Sequence, residues 1–199
     1  MNQIEALKKI TALGTPSFET RDIAALLRVS PANASQLLRR LGDGGFVHRT
    51  ARGRWTTVAM GTREQLVEQL AAPYPAYVSL QSALFRHGLI EQVPAVLYAV
   101  TPGRARRWHT PLGSVSFHRL PAGLFGGFAP TAEGIKLATP EKALFDLAYL
   151  SPTKSRLFTS LPEMELPKSF RWSEVRRWTE KIAGQSRRTF VERKLAEYR

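Results

Sequence analysis

The sequence predicts a mixed α+β fold in two parts, and three observations lead to this prediction. Residues 20–58 alternate between helical and β-prone patterns around short turns, residues 95–137 contain several short β-prone runs, and residues 139–141 (Thr-Pro-Glu) form a strong helix start. Of the 199 residues, 43% are hydrophobic, which is enough for two small packed cores. We therefore expect one domain at residues 1–60 and a second at residues 61–199.

Three helices are expected in the first domain. The first covers residues 4–13, and Thr20 caps the second. The third opens with Ser30 as its cap and Pro31 in the first helical position, where the missing N–H costs nothing. Only the short turn at residues 28–29 separates the second helix from the third, and this arrangement is typical of a helix-turn-helix.

The third helix is predicted to have two chemically different faces. Apolar residues recur at i, i+3, i+4 and i+7 and form a stripe toward the core: Ala34, Leu37, Leu38 and Leu41. The opposite face and its flank carry amide, hydroxyl and guanidinium groups: Ala32, Asn33, Ser35, Gln36, Arg39 and Arg40. These groups can form hydrogen bonds with base edges and phosphates.

Residues 46–50 and 54–58 are β-prone and flank a polar turn, which is typical of a β-hairpin. Phe46 and Trp55 are expected to pack this hairpin onto the helices. Arginines lie close together near its tip, and a DNA backbone would bind them and release counterions, whereas a solvated turn would leave them in water. A helix-turn-helix followed by such a hairpin is a winged helix-turn-helix, which binds DNA or, in some proteins, docks another protein.

The expected partner is double-stranded operator DNA, at inverted repeats occupied by two copies of the chain. The residues expected to contact it are Asn33, Ser35, Gln36, Arg39, Arg40, Arg49, Arg52 and Arg54.

The net charge of +13 also points to a polyanionic partner, nucleic acid before an anionic membrane surface, although charge also confers solubility. It is distributed as +5 over residues 1–60, +2 over residues 61–150 and +6 over residues 151–199. No apolar run is long enough to span a membrane, and the N-terminus lacks the apolar centre of a signal peptide. We therefore expect a soluble, cytoplasmic protein without membrane contact.

The second domain is predicted to be α+β with a helical tail at about residues 151–199. Its predicted elements are helices at 62–70, at 80–88 after Ser79 and from Thr139 to Leu150, strands at 95–101, 114–120 and 134–137, a loop at 102–113, and two tail helices around 175–182 and 191–198.

Three segments of this domain resemble the AbiEi family of abortive-infection antitoxins: Tyr77–Leu89, Gln92–Pro94 and Ala138–Asp146. The resemblance covers nearly the whole chain in the right order and is weaker after Leu150. It implies a winged helix-turn-helix followed by an antitoxin domain in a type IV toxin-antitoxin system. It further implies repression of the protein's own operon, and neutralisation of a nucleotidyltransferase-like toxin without a stable complex.

Catalytic and metal-binding patterns are not expected. The sequence has no phosphate-binding glycine loop, dinucleotide fingerprint or nucleophile elbow, its four histidines lack metal-ligand spacing, and it has no cysteine. Glu141, Lys142 and Asp146 share a helix and form either an acid-base set or a structural pair. Arg104, Arg106 and Arg107 beside Trp108 form either a phosphate-binding cluster or a solvated loop.

Three hypotheses follow from these patterns together with the resemblance, which alone implies the antitoxin role. The leading one is a non-enzymatic DNA-binding autorepressor and antitoxin that needs no cofactor or metal. The alternatives are a winged-helix regulator with a ligand- or protein-sensing domain and no toxin, and an enzyme that modifies the toxin or a nucleotide through carboxylates such as Glu141 or Asp146.

Overall fold

A computed structural model describes residues 2–15, 17–57, 62–151 and 163–199 and shows a mixed α+β protein. Its helices are α1 (Gln3–Ala12), α2 (Thr20–Leu27), α3 (Pro31–Asp43), α4 (Val67–Ala71), α5 (Leu80–Arg86), α6 (Pro140–Leu150), α7 (Trp172–Glu180) and α8 (Gln185–Ala196). Its strands are β1 (Ser17–Glu19), β2 (His48–Ala51), β3 (Arg54–Thr56), β4 (Tyr77–Val78), β5 (Leu97–Thr101), β6 (Arg106–Thr110), β7 (Gly113–Arg119), β8 (Phe128–Pro130) and β9 (Lys136–Ala138). The predicted strand end at Val58, the domain joint at Gly61 and the first part of the tail, residues 152–162, lie outside the described residues.

The N-terminal part packs α1, α2 and α3 against a small antiparallel sheet with strand order β1-β3-β2. The apolar stripe predicted for α3 is confirmed, because all four of its residues are buried in this core. Strand β1 was not predicted. It has only three residues, and its pairing with β3 across 35 or more positions of sequence leaves no local periodicity.

The second part is built on a six-stranded mixed sheet with strand order β6-β7-β5-β4-β9-β8. Helix α6 packs against α5, α7 and α8, and together they enclose the larger of the two apolar cores. The prediction of a loop at residues 102–113 is wrong, because β6 lies within it and pairs antiparallel with β7. Trp108 lies opposite the buried Val115 in this pair, so packing across the strands stabilises a segment rich in arginine.

The helix starts at Ser30 and Thr139 have the predicted capping chemistry. Ser30 Oγ accepts a hydrogen bond from the backbone N–H of Asn33 at 3.2 Å, and Thr139 Oγ1 accepts one from Lys142 N at 3.2 Å.

The prediction that Thr20 caps α2 is wrong by one residue. Glu19 is the N-cap of α2 and forms a reciprocal capping box with Asp22. The Thr20 hydroxyl instead accepts a hydrogen bond from Trp55 Nε1 at 3.1 Å. Ser79 does precede α5, but its side chain does not cap the helix.

Among the described residues, no helix is both long enough and apolar enough to cross a bilayer.

Candidate nucleic-acid interface

Helix α3 presents a polar surface on the side opposite its buried stripe. Asn33, Gln36, Arg39 and Arg40 are exposed, and Ser35 is half-buried. The backbone N–H of Asn33 is used by the Ser30 cap, but its side-chain amide is not part of that bond. The structure therefore leaves the amide and guanidinium groups of this face open to a ligand.

A groove of about 350 Å³ runs between α3 and the β2–β3 hairpin. It is lined by Thr20, Ser35, Arg39, Gly42, Asp43, Val47, His48, Arg49, Gly53, Trp55 and Pro111. Three of the predicted DNA-binding residues, Ser35, Arg39 and Arg49, thus meet in one depression. Pro111 comes from the second part of the chain, and no local pattern in the sequence indicates that it lies here.

Arg49 and Arg52 belong to the outer surface of the hairpin. Both are exposed, and the Arg49 guanidinium lies 6.0 Å from the centre of the Trp55 ring while its Nε donates to Ala51 O at 3.4 Å. Arg52 sits at the turn beside Gly53, whose φ of 74° is a backbone conformation that glycine adopts without strain. Within the described ranges, no carboxylate forms a salt bridge with Arg39, Arg49 or Arg52.

The expectation that Arg54 is an exposed hairpin arginine is wrong. Only 9% of Arg54 is exposed, and its Nη2 binds Glu19 Oε1 at 2.9 Å. Its Nη1 donates to Gln69 O at 2.6 Å and more weakly to Leu70 O at 3.4 Å. Because its donors are already used inside the protein, Arg54 connects the hairpin to α4 and is not available to a phosphate.

Arg106 reaches the same end of α4 from strand β6. Its Nη2 donates to Leu70 O and Ala71 O, both at 3.1 Å. The ring of Trp108 is 5.5 Å from the Arg54 guanidinium and 5.2 Å from that of Arg106, so it packs with both cations. We call Arg54, Arg106 and Trp108 the arginine clamp. The two arginines of the clamp bind the last carbonyls of α4, which carry the partial negative charge of the helix end.

The aromatic residues of the hairpin behave differently from each other. Trp55 is 7% exposed and packs into the N-terminal core, as predicted. Phe46 is 53% exposed, so the prediction that it packs the hairpin onto the helices is wrong. Its position directly after Gly44 and Gly45 places it on the turn that leaves α3, outside the core.

A buried polar cluster lies in the second part, on helix α6. Lys142 and Asp146 form an ion pair with no exposed side-chain surface. Asp146 Oδ2 also accepts hydrogen bonds from Ser79 Oγ at 2.7 Å and from Tyr77 Oη at 3.0 Å. Burial raises the pKa of Asp146 and lowers the pKa of Lys142, while the attraction between them opposes both changes.

Aromatic rings surround the ammonium group of this pair. Lys142 Nζ lies 4.5 Å from the centre of the Trp178 ring and 4.9 Å from that of Phe145. Gly127 passes so close that an added Cβ would meet Trp178 at 2.8 Å and Lys142 at 2.9 Å. This packing leaves no open space beside Lys142 on the side of Gly127.

The geometry favours the structural interpretation of these charged residues over an acid-base set. General acid-base catalysis requires a group within hydrogen-bond reach of a substrate, and Asp146 has no exposed surface. Glu141 is 5% exposed and accepts a hydrogen bond from Arg171 N at 3.1 Å, at the start of α7. Among the described residues, no three histidines or carboxylates are grouped as a metal site would require.

No protein-family model and no curated protein matches this chain.

Loss of the Arg54 side chain is expected to destabilise the protein. In Arg54→Met, the carbonyls of Gln69 and Leu70 lose a buried donor, and we expect the free energy of unfolding to fall by about 2–4 kcal/mol. Urea unfolding measures this change. The control is Arg52→Met, which removes an equal charge from an exposed position and should change stability by less than about 0.5 kcal/mol. Equal stability of the two variants would contradict the buried position of Arg54.

Loss of one partner of the buried pair is expected to cost more than loss of both charges. Lys142→Met removes the cation that opposes the raised pKa of Asp146, so the buried carboxyl must either remain charged without a partner or take up a proton, and the free energy of unfolding should fall by about 3–5 kcal/mol. The double variant Lys142→Met/Asp146→Asn contains no buried charge and keeps an acceptor for Tyr77 and Ser79. Chemical denaturation should therefore show the double variant to be more stable than the single one, and the reverse order would refute the role of the pair.

Proposed function

We propose that this protein is a cytoplasmic DNA-binding autorepressor and the antitoxin of a type IV toxin-antitoxin system. The N-terminal part then acts as a winged helix-turn-helix, with α3 as recognition helix and the β2–β3 hairpin as wing. One observation carries the DNA-binding role: Ser35 and Arg39, on the polar side of α3, border the same groove as Arg49 of the hairpin. None of these side chains contributes to either apolar core.

The width of the DNA major groove supports the assignment of α3 as the recognition helix. The major groove of B-DNA is about 12 Å wide and admits one α-helix. With α3 in that groove, Asn33, Gln36 and Arg39 carry the amide and guanidinium groups that pair with adenine and guanine edges. Ser35 and Arg40 flank them and contact bases or phosphates.

The hairpin supplies the contacts that do not depend on sequence. Arg49 and Arg52 bind the phosphate backbone or enter the adjacent minor groove, and each contact releases counterions from the DNA. Arg54 has no part in this contact, because its donors bind Glu19 and the end of α4. The proposed interface therefore contains two hairpin arginines.

The antitoxin role rests on the resemblance described for residues 77–94 and 138–146. Two of those segments meet in the structure, since Tyr77 and Ser79 of the first bind Asp146 of the other. These buried contacts lie at the centre of the second part, and the exposed surface around that centre is the region proposed to counteract the toxin. The toxin class, a nucleotidyltransferase-like enzyme, comes from the same resemblance.

Base reading and phosphate binding predict different mutational patterns. Gln36→Ala and Arg39→Ala should each lose about 1–3 kcal/mol of binding to the operator and relax the base preference at one position. Arg52→Ala should weaken binding to operator and random duplexes by the same factor and reduce the salt dependence. Fluorescence anisotropy with the operator and random duplexes at several salt concentrations measures these affinities and their salt dependence. Arg176→Ala on α7 is the charge-matched control, and a uniform loss for Gln36, Arg39 and Arg52 variants would refute the base-reading assignment.

The antitoxin role has a separate test. Co-expression of the full chain with a nucleotidyltransferase-like toxin encoded next to it should restore growth, scored by colony counts. The double variant Gln36→Ala/Arg39→Ala should restore growth equally well when expressed from an independent promoter, because the second part is unchanged. Failure of the wild-type chain to restore growth would leave a transcription regulator without an antitoxin role.

A further inference from the structure

The second part of the chain reaches the groove of the N-terminal part. Pro111, in the turn between β6 and β7, lines that groove together with Arg39 of α3 and Arg49 of the hairpin. Strand β6 also lies beside β2. The wall of the groove is therefore made by α3, the β2–β3 hairpin and the β6–β7 turn.

The arginine clamp holds this third wall in position. Arg54 belongs to the hairpin and Arg106 and Trp108 belong to β6, and both arginines bind carbonyls at the end of α4. Ala51 of the hairpin is itself buried in the core of the second part. Because these contacts connect the hairpin, β6 and α4 at once, they hold the β6–β7 turn in position beside α3.

Exposed nitrogen donors continue away from Pro111 along β6. Side chains alternate between the two faces of a strand, and Arg107 and His109 are exposed where Arg106 and Trp108 turn inward. At about 3.3 Å per residue, His109 lies about 7 Å and Arg107 about 13 Å from Pro111 along the strand. His109 Nδ1 is 3.0 Å from Ser114 Oγ, so when Ser114 donates this bond the ring proton is on Nε2 and is free to bind an anion.

We propose that the β6–β7 hairpin is a third DNA-binding element, which contacts the phosphate backbone of the duplex held by α3 and the β2–β3 hairpin. The proposal rests on the proposed DNA-binding function and adds a partner surface to it. Pro111 lies against the duplex, and His109 and Arg107 bind phosphates that α3 does not reach. The second part of the chain thus takes part in operator binding directly.

The absence of cysteine from the sequence allows a direct test by site-specific cross-linking. Each of three variants of the full chain receives one thiol, which is modified with a photoactivated aryl azide: Pro111→Cys, Gln36→Cys and Ser173→Cys. On irradiation with operator duplex, Pro111→Cys and Gln36→Cys should cross-link to DNA, and Ser173→Cys, exposed on α7, should not.

The outcomes separate this proposal from the function on which it rests. Cross-linking from Gln36→Cys but not from Pro111→Cys overturns the third element and leaves the winged-helix interface in place. Failure of the wild-type chain to bind any duplex overturns both.

If Pro111→Cys does not fold, a second measurement tests the proposal. Arg107→Ala/His109→Ala should lower operator affinity about 3–10-fold at 0.15 M salt and reduce the salt slope by about 1, because one charged phosphate contact is lost. The control Arg176→Ala removes the same formal charge from α7 and should leave both values unchanged. Identical affinities and slopes for the two variants would overturn the proposal.

Discussion

The buried ion pair between Lys142 and Asp146 is the constraint on which the second part of the structure depends. Charges without exposed surface are tolerated only when every donor and acceptor around them is satisfied. Tyr77 and Ser79 meet this requirement for the carboxylate and thereby connect α6 to strand β4 and the start of α5. Trp178 packs on the ammonium and connects α6 to α7. The sheet and the helices therefore contact the same buried ion pair. Only one rotation of α6 about its axis allows Lys142 and Asp146 to make all of these contacts.

Arginine has two separate roles in this chain, which its net charge alone does not reveal. Arg54 is buried and Arg106 is half-buried, and both bind the carbonyl end of α4. Arg39, Arg49 and Arg52 remain at the surface, the first two lining the groove, without ion pairs in the described part of the chain. Positive charge thus connects the two parts of the chain, and in the proposed function it also faces the DNA. Arg54 fixes the hairpin that carries Arg49 and Arg52 to the end of α4.

Local patterns were sufficient to predict α3, its buried stripe, the caps at Ser30 and Thr139, and the inward helix α6, because neighbouring residues determine each of them. They could not predict β1, β6 and β8, which are only three to five residues long. Strand β1 pairs with β3, which is 35 or more positions away, whereas β6 and β8 pair with the next strand along the chain but have charged or proline-containing sequences of low β propensity. The same limit applied to the candidate site. Exposure of Arg49 and Arg52 was expected, but the burial of Arg54 depends on Glu19 and Gln69, which lie 35 and 15 positions away.

The two outer strands of the large sheet also bear on how the protein behaves in concentrated solution. Strand β8 has only three residues and ends at Pro130, which has no backbone N–H to donate. Strand β6 carries Arg106 and Arg107, and the small hairpin lies beside it. Short length, proline, charge and a covering element are the devices by which sheet proteins prevent edge-to-edge aggregation. The sheet therefore offers no template for intermolecular β-structure, and assembly by sheet extension is disfavoured.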